Sequence, residues 1–178
     1  MNDDQRALSD ITILDLCDEK GQLMGKLMGD MGARVIKIEP PSGARARSIG
    51  PFFNDEDDPE YSLYFWANNT SKESITLNLE SEGGQSIFRQ LASKANVVLE
   101  SFDPGYLSSL GLDYASLSAD NPELILTSLT GFGQDGPYRD YKTSDIVALA
   151  MGGVMHSCGY DDVPGSPPIR PSGGHGYM

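Results

Sequence analysis

The length, composition and charge of the chain exclude several classes of protein. It has 178 residues, of which 39% are hydrophobic and 22% charged, as in an ordinary globular domain. Its 13 basic and 26 acidic side chains give a formal net charge of −13. This charge argues against binding to nucleic acid or to an anionic membrane, because both require clustered positive charge. A small anionic ligand remains compatible with it if a few basic side chains line one cleft.

The cysteines and the polar start of the chain indicate a reducing, cytoplasmic environment. Cys17 and Cys158 are too few for a disulfide framework, and Cys17 lies in an apolar run typical of a core residue. No run approaches the roughly 20 apolar residues of a membrane span. Residues 1–10 are expected to form a polar leader, and the first six lack the apolar centre of a signal peptide.

The first 41 residues predict a βαβ unit. Ile11–Leu16 and Arg34–Glu39 are typical of short buried strands, and Lys20–Met31 has the apolar spacing of a helix. Gly32 is expected to end this helix, and the prolines at 40–41 end the second strand. A strand, a helix and a strand in this order predict parallel pairing with a right-handed crossover.

Three glycines mark one face of the predicted helix. Gly21, Gly25 and Gly29 are four residues apart, and each glycine costs about 1 kcal/mol of helix stability relative to alanine. Such a face indicates either the close approach of a ligand or close packing against the protein itself. The sequence leaves both interpretations open.

The remaining segments continue the alternation of strands and helices after a loop over residues 42–59. The expected elements are a buried aromatic element over Tyr61–Trp66, strands over Ser74–Leu79, Val97–Glu100 and Leu124–Leu129, helical turns over Tyr106–Leu110 and Tyr114–Ser118, and helices over Glu82–Ala95 and Ser144–Met155. The helix over Glu82–Ala95 is expected to bury Ile87, Phe88 and Leu91. This alternation predicts an α/β fold with a mainly parallel sheet over residues 11–156, followed by a Gly/Pro-rich segment over 157–178.

Several familiar motifs are absent from the sequence. The first βα loop, Cys17–Gly21, lacks G-x-G-x-x-G, and the loop Gly131–Pro137 lacks the K-[ST] of a P-loop. There is no G-x-S-x-G, and His156 and His175, the two histidines, belong to no group with metal-ligand spacing. Glu39 could act as the ribose-binding acid of a dinucleotide site, with a structural or solvated carboxylate as the alternative.

Ligands of such sheets bind beyond the carboxyl ends of the strands. The loops of interest therefore begin near Asp15, Glu39, Glu100 and Thr130. Lysine side chains near these loops could bind phosphates as point charges or remain solvated at the surface.

Seven segments in order resemble the family III CoA-transferases, of the formyl-CoA and carnitine CoA-transferase type, which are related to α-methylacyl-CoA racemase. They are Leu14–Pro41, Asn68–Leu79, Ala95–Leu112, Asn121–Ile125, Leu129–Tyr138, Asp145–Gly153 and Pro167–Arg170. The resemblance extends over about residues 11–178 and corresponds to the N-terminal part of the family.

The resemblance implies a Rossmann-like domain with helices on both faces of the sheet and an enzyme that moves CoA from an acyl-CoA to a free carboxylic acid. In the family, an aspartate carboxylate attacks the thioester to form a mixed anhydride, and the CoA thiolate converts it to an enzyme thioester that the acceptor acid resolves. The expected partners are acyl-CoA and carboxylic acids as substrates, with no tightly bound cofactor, and a homodimer of interlocked protomers in the complete protein.

The resemblance also carries eight positions over to CoA binding. They are Cys17, Lys20, Gly21, Pro40, Lys72, Ser101, Phe102 and Lys142. Lys72 matches the lysine of the N-x-x-K motif and is a candidate phosphate contact, and Lys142 matches a lysine near the pantetheine arm. Phe102 matches the aromatic residue of E-N-F-x-P-G.

The chain departs from the family pattern at five positions. Ser101 replaces the asparagine of E-N-F-x-P-G, Pro40 and Glu73 stand at arginine positions, and Tyr177 aligns with the nucleophilic aspartate. Ser144 occupies the place of the catalytic histidine of the related racemase. With less than half the usual family length, the chain is expected to be a fragment or part of a split enzyme. The alternatives are a catalytically silent acyl-CoA-binding relative and an unrelated nucleotide-binding domain.

Overall fold

Five parallel strands form one sheet. In this computed structural model, which describes residues 6–160 and 163–171, the strands are β1 (Thr12–Leu16), β2 (Arg34–Glu39), β3 (Lys72–Thr76), β4 (Val97–Glu100) and β5 (Ile125–Ser128). Their order is β3-β2-β1-β4-β5, and each neighbouring pair is parallel. This order is that of a doubly wound sheet, with a crevice where the winding reverses between β1 and β4.

Short helices connect the strands. They are α1 (Gln22–Asp30), α2 (Leu63–Asn69), α3 (Glu82–Ala92), α4 (Tyr106–Ser109), α5 (Tyr114–Asp120) and α6 (Asp145–Met151), with 3₁₀ turns at Arg45–Ser48, Phe53–Asp55 and Val154–Ser157. The chain forms two compact units, residues 1–130 and 131–178. The sheet and the first five helices belong to the first unit, and α6 belongs to the second.

Both faces of the three central strands β1, β2 and β4 are buried, as is typical of a parallel sheet, whereas the edge strands β3 and β5 are partly exposed. On one face, Ile13, Val35 and Leu99 form a core cluster with Met24 and Met28 of α1. The opposite face carries a larger cluster, in which residues of β1, β2 and β4 meet residues of α3, α4 and α5, namely Leu14, Leu16, Ile36, Ile38, Val98, Phe88, Leu107 and Leu117. The predicted α/β class, parallel pairing and placement of helices on both faces are therefore confirmed.

The expectation of a buried aromatic element over Tyr61–Trp66 is wrong. Tyr61 precedes α2 and residues 63–66 form the first half of that helix. The helix start is capped by the buried Ser62 hydroxyl, which accepts from the Phe65 amide at 3.1 Å. Phe65 is buried, but Tyr61, Leu63 and Trp66 are 36–43% exposed. A seven-residue helix with this spacing buries one aromatic side chain and leaves its neighbours on the outer face.

Two further expectations need correction. The third strand covers Lys72–Thr76 instead of Ser74–Leu79, because the chain leaves the sheet after Thr76 and residues 77–80 turn towards α3. On α3, Phe88 is fully buried with Gly84 and Ala92, whereas Ile87 is 49% exposed. The buried positions of α3 repeat every four residues, and Ile87 is not one of them.

The glycine face of α1 serves close packing within the protein. A Cβ atom on Gly25 would lie 2.5 Å from the Asp15 carboxylate, and one on Gly29 would lie 2.7 Å from the Ser71 carbonyl oxygen. At Gly21, a Cβ would lie 2.8 Å from the Cys17 sulfur. The helix therefore approaches β1 and the start of β3 more closely than any side chain would allow.

Candidate functional site

A cavity of about 510 Å³ opens at the carboxyl ends of the strands. The chain segments that follow β1, β2, β3 and β4 each contribute to its wall. Its apolar side chains are Leu16, Ile38, Leu77, Leu79, Phe102 and Tyr106. The volume lies within the range of roughly 300–1,000 Å³ typical of small-molecule sites, and the position is the one at which doubly wound sheets bind ligands.

The charged side chains at the cavity are mostly acidic. Among the described residues that line it, Asp18, Glu39 and Glu80 are acidic and Arg45 is the single cation. The Arg45 side chain is 78% exposed, and its guanidinium lies 3.1 Å from the Glu19 carboxylate.

The first βα loop is bonded to the loop that follows β4. The Asp18 amide donates to the Ser101 hydroxyl at 2.9 Å, and that hydroxyl donates back to the Asp18 carboxylate at 2.7 Å. The Lys20 ammonium donates to the Ser101 carbonyl at 3.0 Å and lies 3.4 Å from Asp18. Ser101 is 2% exposed, so its hydroxyl joins the two loops at the sheet's crevice.

A buried charge cluster lies beneath the first loop. The Asp15 carboxylate accepts from the Cys17 amide at 2.9 Å and from the Lys72 ammonium at 2.7 Å. The Lys37 ammonium donates to the Cys17 carbonyl and lies 3.9 Å from Asp15. The side chains of Asp15, Lys37 and Lys72 are at most 2% exposed, so the cluster fixes both backbone polar groups of Cys17 from below.

The three N–H donors of Lys72 are all engaged within the protein. Besides Asp15, its ammonium donates to the Gln22 carbonyl at 2.6 Å and to the Asn69 side chain at 2.8 Å. Burial lowers the pKa of Lys72, and the neighbouring Asp15 charge opposes that change. This geometry argues against the predicted phosphate contact and gives Lys72 a structural role.

Cys17 forms part of the cavity wall as a neutral thiol. Burial raises the pKa of Cys17 well above its usual value, and the nearby Asp15 charge adds to the increase. The side chain is 1% exposed, in agreement with a small core residue.

Glu39 is held by four donors from its own chain. Arg47 donates twice, at 2.7 and 3.0 Å, Ser74 donates at 2.6 Å, and the Ala44 amide donates at 2.9 Å. Burial would raise the pKa of Glu39, but these hydrogen bonds outweigh it and hold the pKa at about 2. The carboxylate thus anchors the 3₁₀ turn at 45–48 to β2, which favours the structural interpretation over a ribose-binding acid.

Glu100, at the end of β4, is a buried carboxylate to which the sequence analysis assigned a loop position but no chemical role. It accepts from the Phe102 amide at 2.7 Å. Burial raises the pKa of Glu100, although hydrogen bonds from Ser128 and Phe102 act in the opposite direction. Glu100 shapes the backbone on which Phe102 reaches the cavity.

Comparison with known families decides the membership of the chain. The model of CoA-transferase family III matches residues 8–178. The chain belongs to this family. The expected resemblance is confirmed, and an unrelated nucleotide-binding domain is no longer an alternative.

Individual relatives agree with this assignment. The chain is 44% identical over 148 residues to acetyl-CoA:oxalate CoA-transferase from Acetobacter aceti, covering 83% of this chain and 36% of that protein. It is 37% identical over 165 residues to the BbsE subunit of succinyl-CoA:(R)-benzylsuccinate CoA-transferase from Thauera aromatica, covering 93% and 40%. A solved CaiB/BaiF family protein from Brucella suis matches with a TM-score of 0.85 and 36% identity, covering 96% and 44%.

The chain therefore corresponds to about two fifths of the length of these curated relatives. No helix in residues 6–160 and 163–171 is long and apolar enough to cross a membrane. The same part of the chain contains no group of three side chains suited to hold a metal ion.

The structure brings only some of the predicted CoA-binding residues to the cavity. Cys17, Pro40 and Phe102 line it. Lys20, Gly21 and Ser101 lie in or beside the loops that carry those lining residues, and Lys72 lies in the buried cluster below. Lys142 is an exposed residue of the second unit, and Tyr177 lies outside the described residues.

Glu73, which stands at a family arginine position, is not among the residues that line the cavity. Glu73 lies near the start of β3 and pairs with Arg34 at 2.9 and 3.1 Å. Both residues are at the amino ends of their strands, whereas the cavity lies at the carboxyl ends. The Glu73 departure therefore leaves the charge of the cavity unchanged.

Replacing Lys72 tests its structural role. We expect Lys72→Met to lower the free energy of unfolding by about 3–5 kcal/mol, because Asp15 would lose its principal buried partner. Lys26→Met, which removes an ion pair of α1 with the 40%-exposed Asp30, should cost less than about 1 kcal/mol. Urea unfolding measures both changes. A Lys72→Met variant of normal stability with weakened CoA binding would instead return Lys72 to the ligand site.

The low pKa of Glu39 predicts a pH-dependent contribution to stability. The folded-state pKa of about 2 lies below the usual 4.5, so the unfolded chain binds more protons between these values and stability falls with decreasing pH. Glu39→Gln should lower the free energy of unfolding by about 2–3 kcal/mol at pH 7, and its difference from wild type should shrink between pH 5 and 2. The exposed Glu123→Gln is the control for urea titrations. A difference that is constant with pH would contradict the prediction.

Proposed function

We propose that this chain forms the CoA-binding part of an enzyme that transfers CoA between an acyl-CoA and a free carboxylic acid through an enzyme-bound acyl intermediate. The observation that carries the proposal is the cavity at the carboxyl edge of the sheet. Its wall is built from segments that contain the family motifs, including Cys17, Pro40 and Phe102. Family membership over residues 8–178 supports the same conclusion.

The cavity suits the adenosine end of CoA. Apolar side chains from four strand ends provide flat and aliphatic surfaces for a base, and Phe102 packs against Tyr106 with ring centroids 4.6 Å apart. Lys20, Gly21 and Ser101 keep the first loop in place around the ligand. Lys142 remains a proposed CoA contact on the basis of the family resemblance.

The proposed chemistry requires a carboxylate nucleophile. Its attack on the acyl-CoA carbonyl breaks the C–S bond, forms a mixed anhydride and releases the CoA thiolate. The thiolate attacks the enzyme carbonyl of the anhydride, which releases the donor acid as its carboxylate and leaves an enzyme thioester. The acceptor carboxylate attacks this thioester, releases the CoA thiolate and forms a second mixed anhydride. The thiolate then attacks the acceptor carbonyl, which gives the product acyl-CoA and frees the enzyme carboxylate.

Tyr177, which aligns with the nucleophile position, carries a phenol and no carboxylate. We propose that a carboxylate elsewhere in the complete polypeptide supplies the nucleophile.

A second candidate is a catalytically silent, acyl-CoA-binding subunit. Two points favour it: the expected alignment of Tyr177 with the nucleophilic aspartate, and a relative that is itself named as a subunit of a CoA-transferase. Both candidates require CoA binding at the same cavity, and they differ in whether acyl groups become attached to the protein. We further propose a cytoplasmic location and a homodimer for the complete enzyme.

Calorimetric titration with CoA tests the cavity. The wild-type protein should bind CoA, and Phe102→Ala should weaken binding about tenfold, since an aromatic–base stack contributes about 1–3 kcal/mol. Phe53→Ala, which removes another partly exposed aromatic side chain in contact with Tyr61 and Trp66, should leave the affinity unchanged. Absence of CoA binding, or equal affinity of the Phe102 variant and the wild type, would refute the assignment.

Intact-mass spectrometry distinguishes the two candidates. The complete polypeptide, including the part that would carry the nucleophile, is incubated with acetyl-CoA or succinyl-CoA and separated from small molecules. The transferase proposal expects a mass increase equal to one acyl or one CoA group that hydroxylamine removes. The silent-subunit proposal expects an unchanged mass despite CoA binding by the same preparation.

A further inference from the structure

The source of positive charge for a phosphate-bearing ligand differs from the sequence prediction. Lys72 is buried and fully engaged, and Lys20 donates to Ser101 and lies beside Asp18. Pro40 supplies no charge. Among the described residues that line the cavity, this leaves Arg45, a position to which the sequence analysis gave no role.

The backbone of Arg45 is firmly held although its side chain is in solvent. It begins the 3₁₀ turn at 45–48, between the Ala44 amide, bonded to Glu39, and the fully buried Ala46. Arg47 fixes the same turn through Glu39, and its guanidinium lies 3.9 Å from the centre of the Phe65 ring. The turn therefore presents an exposed cationic side chain from a well-anchored backbone at the cavity.

Glu19 gives that side chain a direction. Its carboxylate is 10% exposed and lies on the first loop, and one oxygen contacts the Arg45 guanidinium at 3.1 Å. The other oxygen is buried and has no hydrogen-bond partner within the described part of the chain. A nearly buried carboxylate thus holds one edge of a guanidinium that is otherwise 78% exposed, with most of its five N–H donors accessible.

We propose that Arg45 binds a phosphate group of the nucleotide held in the cavity and that Glu19 is the positioning residue that orients its guanidinium. The inference rests on the proposed function and specifies how this chain recognises the charged part of CoA. Arginine forms paired, charge-assisted hydrogen bonds with phosphate, and the fork can keep Glu19 on one edge. The charge also offsets the repulsion of Asp18 and Glu80 towards an anionic ligand.

The test compares nucleotides that differ only in phosphate. Adenosine 3′,5′-bisphosphate, adenosine 5′-diphosphate and adenosine are titrated into the full chain and its variants at constant ionic strength. Arg45→Ala should weaken the bisphosphate at least tenfold and change the affinity for adenosine less than twofold. Loss of affinity for the diphosphate as well assigns the contact to the 5′-phosphates, whereas loss for the bisphosphate alone assigns it to the 3′-phosphate.

Arg34→Ala is the matched control. It removes the same charge and a carboxylate ion pair, but at the amino ends of β2 and β3, and it should leave all three affinities unchanged. Glu19→Gln should weaken the bisphosphate several-fold without affecting adenosine. Adding Glu19→Gln to Arg45→Ala should cause no additional loss, because Glu19 acts through Arg45.

The outcomes separate this inference from the proposed function. If the wild type binds CoA and the bisphosphate, and Arg45→Ala binds them equally well, Arg45 has no role in phosphate recognition. Equal weakening of adenosine and the bisphosphate would also overturn the inference, since it indicates a damaged cavity. If the wild type binds neither CoA nor the nucleotides, the proposed function itself fails.

Discussion

The site depends on the hydrogen bonds and ion pairs of the buried Asp15 carboxylate. This carboxylate lies on the central strand, accepts the Lys72 ammonium and the Cys17 amide, and has the Lys37 ammonium close by. A carboxylate at this depth is stable only with charged and hydrogen-bonded partners. Because those partners come from β2, from the start of β3 and from the first loop, one group fixes the position of three segments. The first loop, which forms part of the cavity wall, is therefore positioned by a charge cluster whose side chains are not among the residues that line the cavity.

This arrangement divides the basic side chains of an acidic protein between two tasks. Lys37, Lys72 and Arg47 neutralise the buried carboxylates of Asp15 and Glu39 and have little or no contact with solvent. The cavity wall keeps three acidic residues and one arginine. Selective binding of an anion by such a surface depends on where its few accessible cations are placed and on how far the paired cations are hidden from solvent. The net charge of the whole protein says little about this selectivity.

The sequence predicted the βαβ start, the bounds of β2 and β4 and the parallel sheet, because these features follow from local apolar runs, prolines and a capping glycine. The sequence did not predict features that depend on contacts between residues far apart in the chain. The N-x-x-K motif identifies Lys72 but not its partner Asp15, which lies 57 residues away. Arg45 and Arg47 look alike in sequence. Because of the 3₁₀ turn, Arg47 contacts the buried Glu39, whereas Arg45 reaches the cavity mouth. Trp66 is aromatic but exposed, since only one face of α2 meets the core.

The reciprocal hydrogen bonds between Asp18 and Ser101 bear on the kinetics of recognition. These bonds join two loops whose residues lie 83 positions apart in sequence and that would otherwise fluctuate independently. The walls on either side of the crevice are therefore ordered before a ligand arrives. A preformed site loses little conformational entropy on binding, and its encounter rate is not reduced by waiting for a rare open or folded state. A single serine hydroxyl, acting as donor and acceptor at once, thereby holds the two walls of the crevice in one arrangement.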